Sequence, residues 1–263
     1  MATQSSKIEW TESTWNPVRG CTRVSEGCRF CYAERIAARF SGKGLAYEGL
    51  AENTEAGPRW TQQVLPVPAL LDEPLKWKKP RRIFVNSMSD LFHEKIELSY
   101  IQQVFSIMEK AHWHQFQVLT KRSEQLLKFS PNLPWSPNVW MGVSVENNRV
   151  IHRIDALRQT SAQIKFLSLE PLLGALPNLT LEGIDWVIVG GESGPGAREM
   201  QKKWVIDIRD QCEDAKTPFF FKQWGGKRKS KTGRKLNGRT YDEMPDSRHL
   251  KTLTSNPRQI VRE

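Results

Sequence analysis

The sequence predicts an α/β fold built from parallel β/α units, and two patterns in the chain indicate it. Six short runs rich in Val, Ile and Phe have the length and the polar borders of buried strands. Helical patterns fill the gaps, so strand and helix alternate about six times along the chain. Such strands are typical of a parallel sheet covered by helices, which right-handed crossovers wind into a doubly wound sheet or a full or partial TIM-like barrel.

The predicted elements occupy most of the chain before its C-terminal segment. The strands are expected at 82–87, 115–120, 139–145, 164–170, 186–191 and 218–224, with a less regular one at 14–20. The helices are expected at 32–40, 99–113, 123–129, 148–159 and 201–215. In the second of these helices, Ile101, Val104, Phe105 and Met108 share one face, and Ser99 is a candidate N-cap.

Charge divides the chain into a β/α domain over residues 1–225, with an insertion at about 41–80, and a basic tail over 226–263. Of the net charge of +10, residues 225–263 supply +7, from 11 Lys or Arg and 4 Asp or Glu. Lys and Arg displace counterions from phosphates, so the tail is either a nucleic-acid contact or a solvated extension that aids solubility.

The absence of a long apolar run excludes the membrane-spanning class. No run of eighteen apolar residues occurs, and the first ten residues lack the pattern of a signal peptide. We therefore expect a cytoplasmic protein without a membrane partner. In that compartment, four cysteines of which three are clustered do not form a disulfide framework and indicate metal or redox chemistry.

Polar residues follow five of the predicted strands directly. The segments are "NSMSDLFH" from residue 86, "TKRS" from 120, "SVENN" from 144, "SLEP" from 168 and "GGESGPG" from 190. Each alone is explained by turn and cap chemistry. The carboxyl ends of parallel strands meet at one edge of a sheet, so the five together predict a shared site there.

Cys21, Cys28 and Cys31 are the candidate metal ligands. Six residues separate the first two and two residues separate the second pair, while Cys212 stands alone in a predicted helix as a buried packing cysteine. Three thiolates suit an iron–sulfur cluster with one open iron, since a structural zinc site requires four closed ligands. Zinc with a distant histidine such as His93 and three unbound cysteines remain the alternatives.

Several segments together resemble a known family. "TWNPVRGCTRVSEGCRFCYAER", "FVNSMSDLFHE", "VLTKR", "GVSVEN", "LSLEPLLG", "VIVGGESGPGAR" and "FFFKQWG" resemble a phage-associated, largely uncharacterised family that is similar to the radical S-adenosylmethionine (SAM) superfamily. The resemblance runs from about Trp10 to Gly225. The superfamily usually has three residues between its first two cysteines, where this chain has six, and its Gly-Gly-Glu stretch usually follows the second strand rather than a late one.

The resemblance implies a radical SAM-like barrel that holds a [4Fe–4S] cluster on Cys21, Cys28 and Cys31 and binds SAM at the open iron. One electron from a donor then cleaves SAM to a 5′-deoxyadenosyl radical, which removes hydrogen from a substrate. The predicted cofactor-binding residues, taken from the polar strand ends and from this resemblance, are Tyr32, Asn86, Ser87, Asp90, Ser144, Glu170, Gly190, Gly191 and Glu192. We expect Glu192 first to meet the SAM ammonium, because a carboxylate beside two glycines accepts a close ligand; a tight turn capped by Glu is the alternative.

The substrate is less defined by the sequence. The basic tail, with aromatic residues expected to be exposed at Trp60, Trp77 and Trp135, suits a nucleic acid such as DNA that is modified or repaired. A small metabolite or a peptide fits the cysteines equally well. Two other classes stay open: a non-catalytic nucleic-acid-binding protein with structural zinc, and a partner protein that senses redox state through its cluster. If the chain is phage-encoded, the compartment is the host cytoplasm.

Overall fold

Seven parallel strands form the main sheet and curl into a half-barrel. The computed structural model describes residues 5–6 and 8–246. The sheet order is β1-β6-β7-β8-β9-β10-β11, so from β6 onward each strand pairs with the next one in the chain. These strands are β1 (Ser13–Trp15), β6 (Arg82–Val85), β7 (Gln115–Thr120), β8 (Val139–Ser144), β9 (Ile164–Leu169), β10 (Trp186–Gly190) and β11 (Phe219–Gln223). All six predicted strands and the barrel alternative are confirmed.

Side chains alternate between the two faces of the sheet. Ile83, Val85 and their equivalents in the other strands point to the convex face, where they pack against the helices in the main core. On the concave face a second cluster is almost entirely aromatic and consists of Trp10, Phe84, Trp140, Phe166, Trp186, Ile188 and Phe220. A Cβ on Gly142 would lie 2.5 Å from the Phe166 ring, so glycine makes room for this cluster. This aromatic cluster therefore fills the half-barrel at the amino ends of the strands, and its upper surface is called the aromatic floor below.

The five predicted helices occur in the predicted order, and the described part of the structure adds two short helices that were not predicted. The helices are α1 (Tyr32–Arg39), α2 (Glu73–Lys76), α3 (Leu98–Lys110), α4 (Ser123–Phe129), α5 (Arg153–Arg158), α6 (Lys202–Asp214) and α7 (Lys229–Thr232). The prediction that Ser99 caps α3 is wrong, because the helix begins at Leu98 and its N-cap is Glu97. Cys212 is 1% exposed inside α6 and packs in the main core, as expected. Within residues 5–6 and 8–246, no helix combines the length and the apolar character needed to cross a membrane.

The predicted insertion contains three short strands and one short helix. β3 (Ala51–Thr54) and β4 (Gly57–Trp60) form an antiparallel hairpin, and β5 (Leu65–Pro66) pairs with β2 (Val18–Arg19). The hairpin packs on α1 through a small core. The expectation of exposed tryptophans is wrong here: Trp60 and Trp77 are buried, and Trp135 is half-buried against Phe105.

The first part of the C-terminal segment, residues 226–246, packs against β11. Phe221 donates its backbone N–H to the carbonyl of Tyr241, and Leu236 is fully buried. The indole of Trp186 donates to the carbonyl of Glu243 at 2.8 Å. Residues 247–263 of the predicted tail lie outside the described residues.

Candidate functional site

A cavity of about 410 Å³ opens at the carboxyl end of the sheet, above the aromatic floor. All three clustered cysteines and every predicted cofactor-binding residue except Gly190 line it. Gly190 lies directly behind Glu170, whose carboxylate a Cβ at this position would overlap. The volume falls in the range of small-molecule and cofactor sites. The structure therefore brings the predicted strand ends and the predicted metal ligands to one place.

The two-residue period of the strands explains why these residues meet. Phe84 and Asn86 are in the same phase, and so are Trp140 and Ser144, and Phe166, Ser168 and Glu170. Each strand thus contributes aromatic residues to the floor and then, two or four residues later, a polar residue to the cavity. The same phase places Lys121 and Lys222 in the cavity lining, although they were not among the predicted site residues.

Each cysteine occupies a different position in one loop between β2 and α1. Cys21 follows Gly20, which bridges to Ser89 and has a φ of 83°. A Cβ on Gly20 would overlap the carbonyl of Gln63, so only glycine fits there. Cys28 ends a 3₁₀ turn, and Cys31 is the N-cap of α1. Within this loop, the six residues 22–27 separate Cys21 from Cys28.

Arg122 anchors the first half of this loop. Its side chain is 3% exposed, and its Nη1 lies 3.8 Å from the Cys21 sulfur and 3.1 Å from Asp90 Oδ2. Nη2 donates to the carbonyl and the hydroxyl of Thr22, at 3.0 and 2.8 Å. Nε donates to the carboxylate of Glu94 at 2.9 Å. All five guanidinium N–H groups thus have partners, two of which are the first two residues of the cysteine loop.

Glu146 anchors the second half of the loop. Its carboxylate is 1% exposed and accepts a hydrogen bond from the Ser25 hydroxyl at 2.7 Å. A Cβ on Gly27 would overlap the same carboxylate, so the loop backbone rests directly on it. Arg153 Nη1 lies 3.0 Å and Lys121 Nζ 3.4 Å from Glu146, and these cations hold its pKa below the usual value although burial acts in the opposite direction. The carboxylate is therefore a charged, fixed support.

Burial and neighbouring polar groups shift the pKa values of Cys21 and Cys31 in opposite directions. Burial raises the pKa of Cys21 to about 12, while the Arg122 guanidinium acts to lower it. Burial also raises the pKa of Cys31, and the backbone N–H groups of Glu34 and Ala33 act against that rise. Without a metal these thiols hold their protons, so metal binding must release them.

No fourth protein ligand accompanies the three thiols among the described residues. His93, the candidate for a zinc site, uses both ring nitrogens: Nδ1 accepts from the backbone N–H of Lys95 at 3.1 Å, and Nε2 lies 2.9 Å from the Thr22 hydroxyl. Cys212 is in α6, outside the cavity lining. Within residues 5–6 and 8–246, no group of three His, Cys, Asp or Glu side chains converges as the shell of one metal ion would. A cluster binds each thiolate at a different iron, and this donor set fits it better than zinc.

Two predicted carboxylates are already paired. Glu192 is 5% exposed, and Arg198 donates to its Oε2 at 2.9 Å and to its Oε1 at 2.6 Å. The backbone N–H of Arg198 also reaches Oε2, which leaves one acceptor position on Oε1. Glu170 pairs with Lys222 at 2.9 Å and accepts from the Ser168 hydroxyl at 3.1 Å. Both carboxylates therefore meet any ligand with their charge partly offset.

Asp90 and Asn86 differ in what they leave for a ligand. Asp90 accepts hydrogen bonds on both oxygens, from Thr120, Phe92, Lys121 and Arg122, so its four acceptor positions are occupied. The amide nitrogen of Asn86 is buried in the cavity wall and has no hydrogen-bond partner among the described residues. An unpaired buried donor is costly, so a ligand acceptor is expected there.

The residues that sequence reasoning missed are Lys121, Arg122, Glu146 and Lys222. Lys121, Arg122 and Glu146 follow strand ends, in the segments "TKRS" and "SVENN", which were noted without assigning roles to these residues. Lys222 lies inside β11. The available signal was the two-residue period, which puts Lys121, Glu146 and Lys222 on the concave side. Arg122 is out of that phase and reaches the cysteine loop only because the chain turns into α4 after Lys121.

Comparison with known proteins gives a family and two partial structural likenesses. A spore photoproduct lyase mutant has a TM-score of 0.42 and 14% identity, over 72% of this chain and 58% of that one. Spore photoproduct lyase complexed with dinucleoside spore photoproduct has a TM-score of 0.40 and 14% identity, over 80% of this chain and 63% of that one. The chain thus spans about three fifths of the length of these structures.

No curated protein matches the sequence. A family model described as "Protein of unknown function (DUF5131)" matches residues 5–245, which is most of the chain. The protein therefore belongs to the DUF5131 family of proteins of unknown function.

Proposed function

We propose that the protein is an iron–sulfur enzyme of the radical SAM type. The observation that carries the proposal is the meeting of three thiols, with no fourth protein ligand among the described residues, at a cofactor-sized cavity above an apolar floor. Cys21, Cys28 and Cys31 are the proposed ligands of a [4Fe–4S] cluster. The resemblance of the cysteine segment to the radical SAM superfamily supports the same conclusion.

With cluster and SAM bound, the site would supply one-electron cleavage of the sulfonium and removal of hydrogen from an unactivated carbon of the substrate. The chain itself supplies position and charge. Arg122 lies 3.8 Å from the Cys21 sulfur and Lys121 pairs with Glu146, and both cations would favour the thiolate over the thiol form of the neighbouring cysteines. Trp10, Phe84 and Leu119 give the cavity an apolar base that excludes water.

The polar cavity wall supplies the proposed contacts to SAM. Asn86 offers its unpaired amide N–H groups to an acceptor on the cofactor. Glu192 retains one acceptor position for the SAM ammonium, and Arg198 fixes the direction in which that carboxylate faces. Tyr32 stands at the lip of the cavity with its hydroxyl donating to the carbonyl of Ser87 at 2.5 Å, and closes that side.

The proposed substrate is a nucleic acid, with DNA base modification or repair as the proposed reaction. The excess of positive charge in residues 225–263 supports this class over a small metabolite. The reaction requires an electron donor, and we propose a cytoplasmic setting in which the thiols stay reduced.

Anaerobic purification followed by iron and sulfide analysis tests the proposal. We expect a brown protein with about four irons per chain. After reduction with dithionite it should convert SAM to 5′-deoxyadenosine and methionine, which chromatography detects. Replacing Cys21, Cys28 or Cys31 by Ala should abolish both iron binding and this reaction, whereas Cys212→Ala is the matched control and should retain both. A colourless protein with one tightly held zinc, or full iron retention in a variant of the three, would contradict the assignment.

A further inference from the structure

A basic loop lies at the rim of the proposed active-site cavity. Residues 215–241 contain nine Lys or Arg and no Asp or Glu. Lys227, Arg228 and Lys231 in this stretch are exposed, and none of them forms an ion pair with a described residue. These three side chains, here called the rim cations, are therefore available to an external anion.

Backbone pairing fixes the rim cations next to the cavity. Gly226, which precedes them, bridges to Ser193, donates its N–H to the carbonyl of Glu192 at 2.7 Å and accepts from Gly194 at 3.0 Å. Glu192 and Ser193 line the cavity. The far end of the loop returns to β11, since Trp224 donates its N–H to the carbonyl of Gly233 at 3.1 Å. The loop is thus closed at both ends and belongs to the cavity rim.

An exposed apolar stripe on α1 flanks the same rim. Tyr32 and Ile36 on α1 and Phe40 at its C-cap are 43%, 36% and 41% exposed, and their spacing of four residues places them along one side of the helix. The stripe starts at the cavity lip with Tyr32, and Arg35 Nη2 ties this helix to the carbonyl of Ser193 at 2.7 Å. Ser193 therefore connects the stripe on one side with the rim cations on the other.

We propose that this combined surface binds a single nucleic-acid strand and delivers one of its nucleotides to the cavity. The inference rests on the proposed function and names the docking surface of its substrate. The rim cations contact successive phosphates, and Tyr32 at the start of α1 and Phe40 at its C-cap stack on bases. Such a pairing of cations with aromatic platforms is how proteins bind single strands without sequence preference. An acidic protein partner would use the cations and leave the aromatic stripe unexplained.

Two sets of variants test the proposal through the binding of a fluorescent single-stranded DNA oligonucleotide to the full chain. The triple change of Lys227, Arg228 and Lys231 to Gln should weaken binding at least tenfold and lower the salt slope by about 2, since each phosphate contact on a single strand contributes about 0.7. The matched control changes Lys78, Lys79 and Lys110 to Gln. These exposed lysines lie at the opposite end of the sheet, just before β6 and β7, and affinity and slope should stay as in the wild type.

The Phe40→Ala variant separates stacking from charge. It should weaken binding about tenfold and leave the salt slope unchanged, because stacking releases no counterions. Arg228→Glu alone should weaken binding more than Arg228→Gln, with an unchanged thermal unfolding midpoint as the check of folding. Deleting residues 247–263 should leave most of the binding in place, because the rim cations remain.

Four outcomes would overturn this inference: equal losses of affinity in the two triple variants, an unchanged affinity in Phe40→Ala, loss of nearly all binding on deletion of 247–263, or tighter binding of poly-glutamate than of the oligonucleotide.

The proposed function is judged separately, by iron content and SAM cleavage of the wild-type protein. A protein that cleaves SAM and does not bind the strand defeats only the docking surface, and one that binds the strand through the rim cations without holding iron defeats only the radical SAM proposal.

Discussion

Among single residues, Arg122 has the largest role in holding the cysteine loop. A buried arginine is tolerated only when its charge and its donors are satisfied. Here Asp90 and Glu94 supply the opposite charge, while Cys21 and Thr22 take the remaining donors. A lysine carries the same charge but presents one nitrogen, so it cannot reach all these partners at once. We therefore regard Arg122 as a positioning residue for Cys21, the first of the proposed metal ligands.

Replacing Arg122 by Leu should lower the free energy of unfolding by about 3–5 kcal/mol, because the buried Asp90 loses its counter-charge. Arg122→Lys should recover part of that stability and still bind less iron per chain than the wild type, since the Thr22 contacts are lost. Denaturant unfolding and iron analysis measure the two effects. Arg149→Leu, which removes an exposed ion pair with Glu26, is the control and should cost about 0–1 kcal/mol. Equal iron content in Arg122→Lys and wild type would show that charge alone suffices.

The sequence predicted single residues unevenly, for a physical reason. Cysteine spacing and strand ends indicate which residues reach the cavity, because both depend on local geometry. The partner of a side chain depends on chain segments far apart in sequence. Glu192 lies six residues from Arg198 in the sequence, yet only the fold of the intervening loop turns that arginine back onto the carboxylate. For the same reason the sequence did not show that both carboxylate oxygens of Asp90 already accept hydrogen bonds, since three of the four donors come from residues 120–122.

Among the elements, the cysteine loop is a preformed unit clamped at two points. Arg122, from the end of β7, holds its start, and Glu146, from the end of β8, supports its middle. The segment between Cys21 and Cys28 is therefore docked onto the carboxyl end of the sheet through Thr22, Ser25 and Gly27. Preorganisation of this kind reduces the entropy that metal binding must overcome.

The Gly27→Ala variant tests the second clamp. A methyl group there would overlap the Glu146 carboxylate, which Arg153 and Lys121 hold in place, so the loop must shift. We expect a loss of about 1–3 kcal/mol in stability and a lower iron content. Gly42→Ala is the matched control, since its Cβ would meet only the flexible end of Leu45 at 3.4 Å. Unchanged iron content in Gly27→Ala would show that the loop is free to move off Glu146.

Most of the elements that the sequence failed to predict lie in the insertion, while the short helix α7 lies in the C-terminal segment. β3 has three exposed residues of four, and β4 contains Pro58, so neither shows the two-residue apolar period of a half-buried strand. The hairpin exists because Trp60 and Tyr47 bury themselves against α1, which is a tertiary effect. By contrast, β6 to β11 carry continuous apolar runs and were predicted correctly.

For the molecule as a whole, the sequence predicted the winding of the sheet and missed how its concave side is filled. Trp10 precedes β1, and its place beside Phe84 and Trp186 depends on closure of the half-barrel. Glu243 reaches the same aromatic cluster from the other end of the chain through the Trp186 indole. Residues near both ends of the described chain thus contact the floor, and composition alone indicated a basic tail for the C-terminal segment.

Stability of the whole chain should depend on pH through His93. Burial and the neighbouring Arg122 lower the pKa of this histidine to about 4, below its ordinary value of 6.5. Between these values the unfolded chain binds the proton and the folded chain does not, so the free energy of unfolding falls as the pH falls from about 6.5 to 4. The loss in the free energy of unfolding amounts to roughly 3 kcal/mol and is absent above pH 7.

Denaturant unfolding of the reduced, iron-free protein between pH 4 and pH 7 measures this loss. His93→Gln should flatten the slope, and the exposed His112→Gln should keep it. A slope that is unchanged in His93→Gln would assign the acid sensitivity to another buried group, of which His114 is the first candidate, because burial lowers its pKa as well.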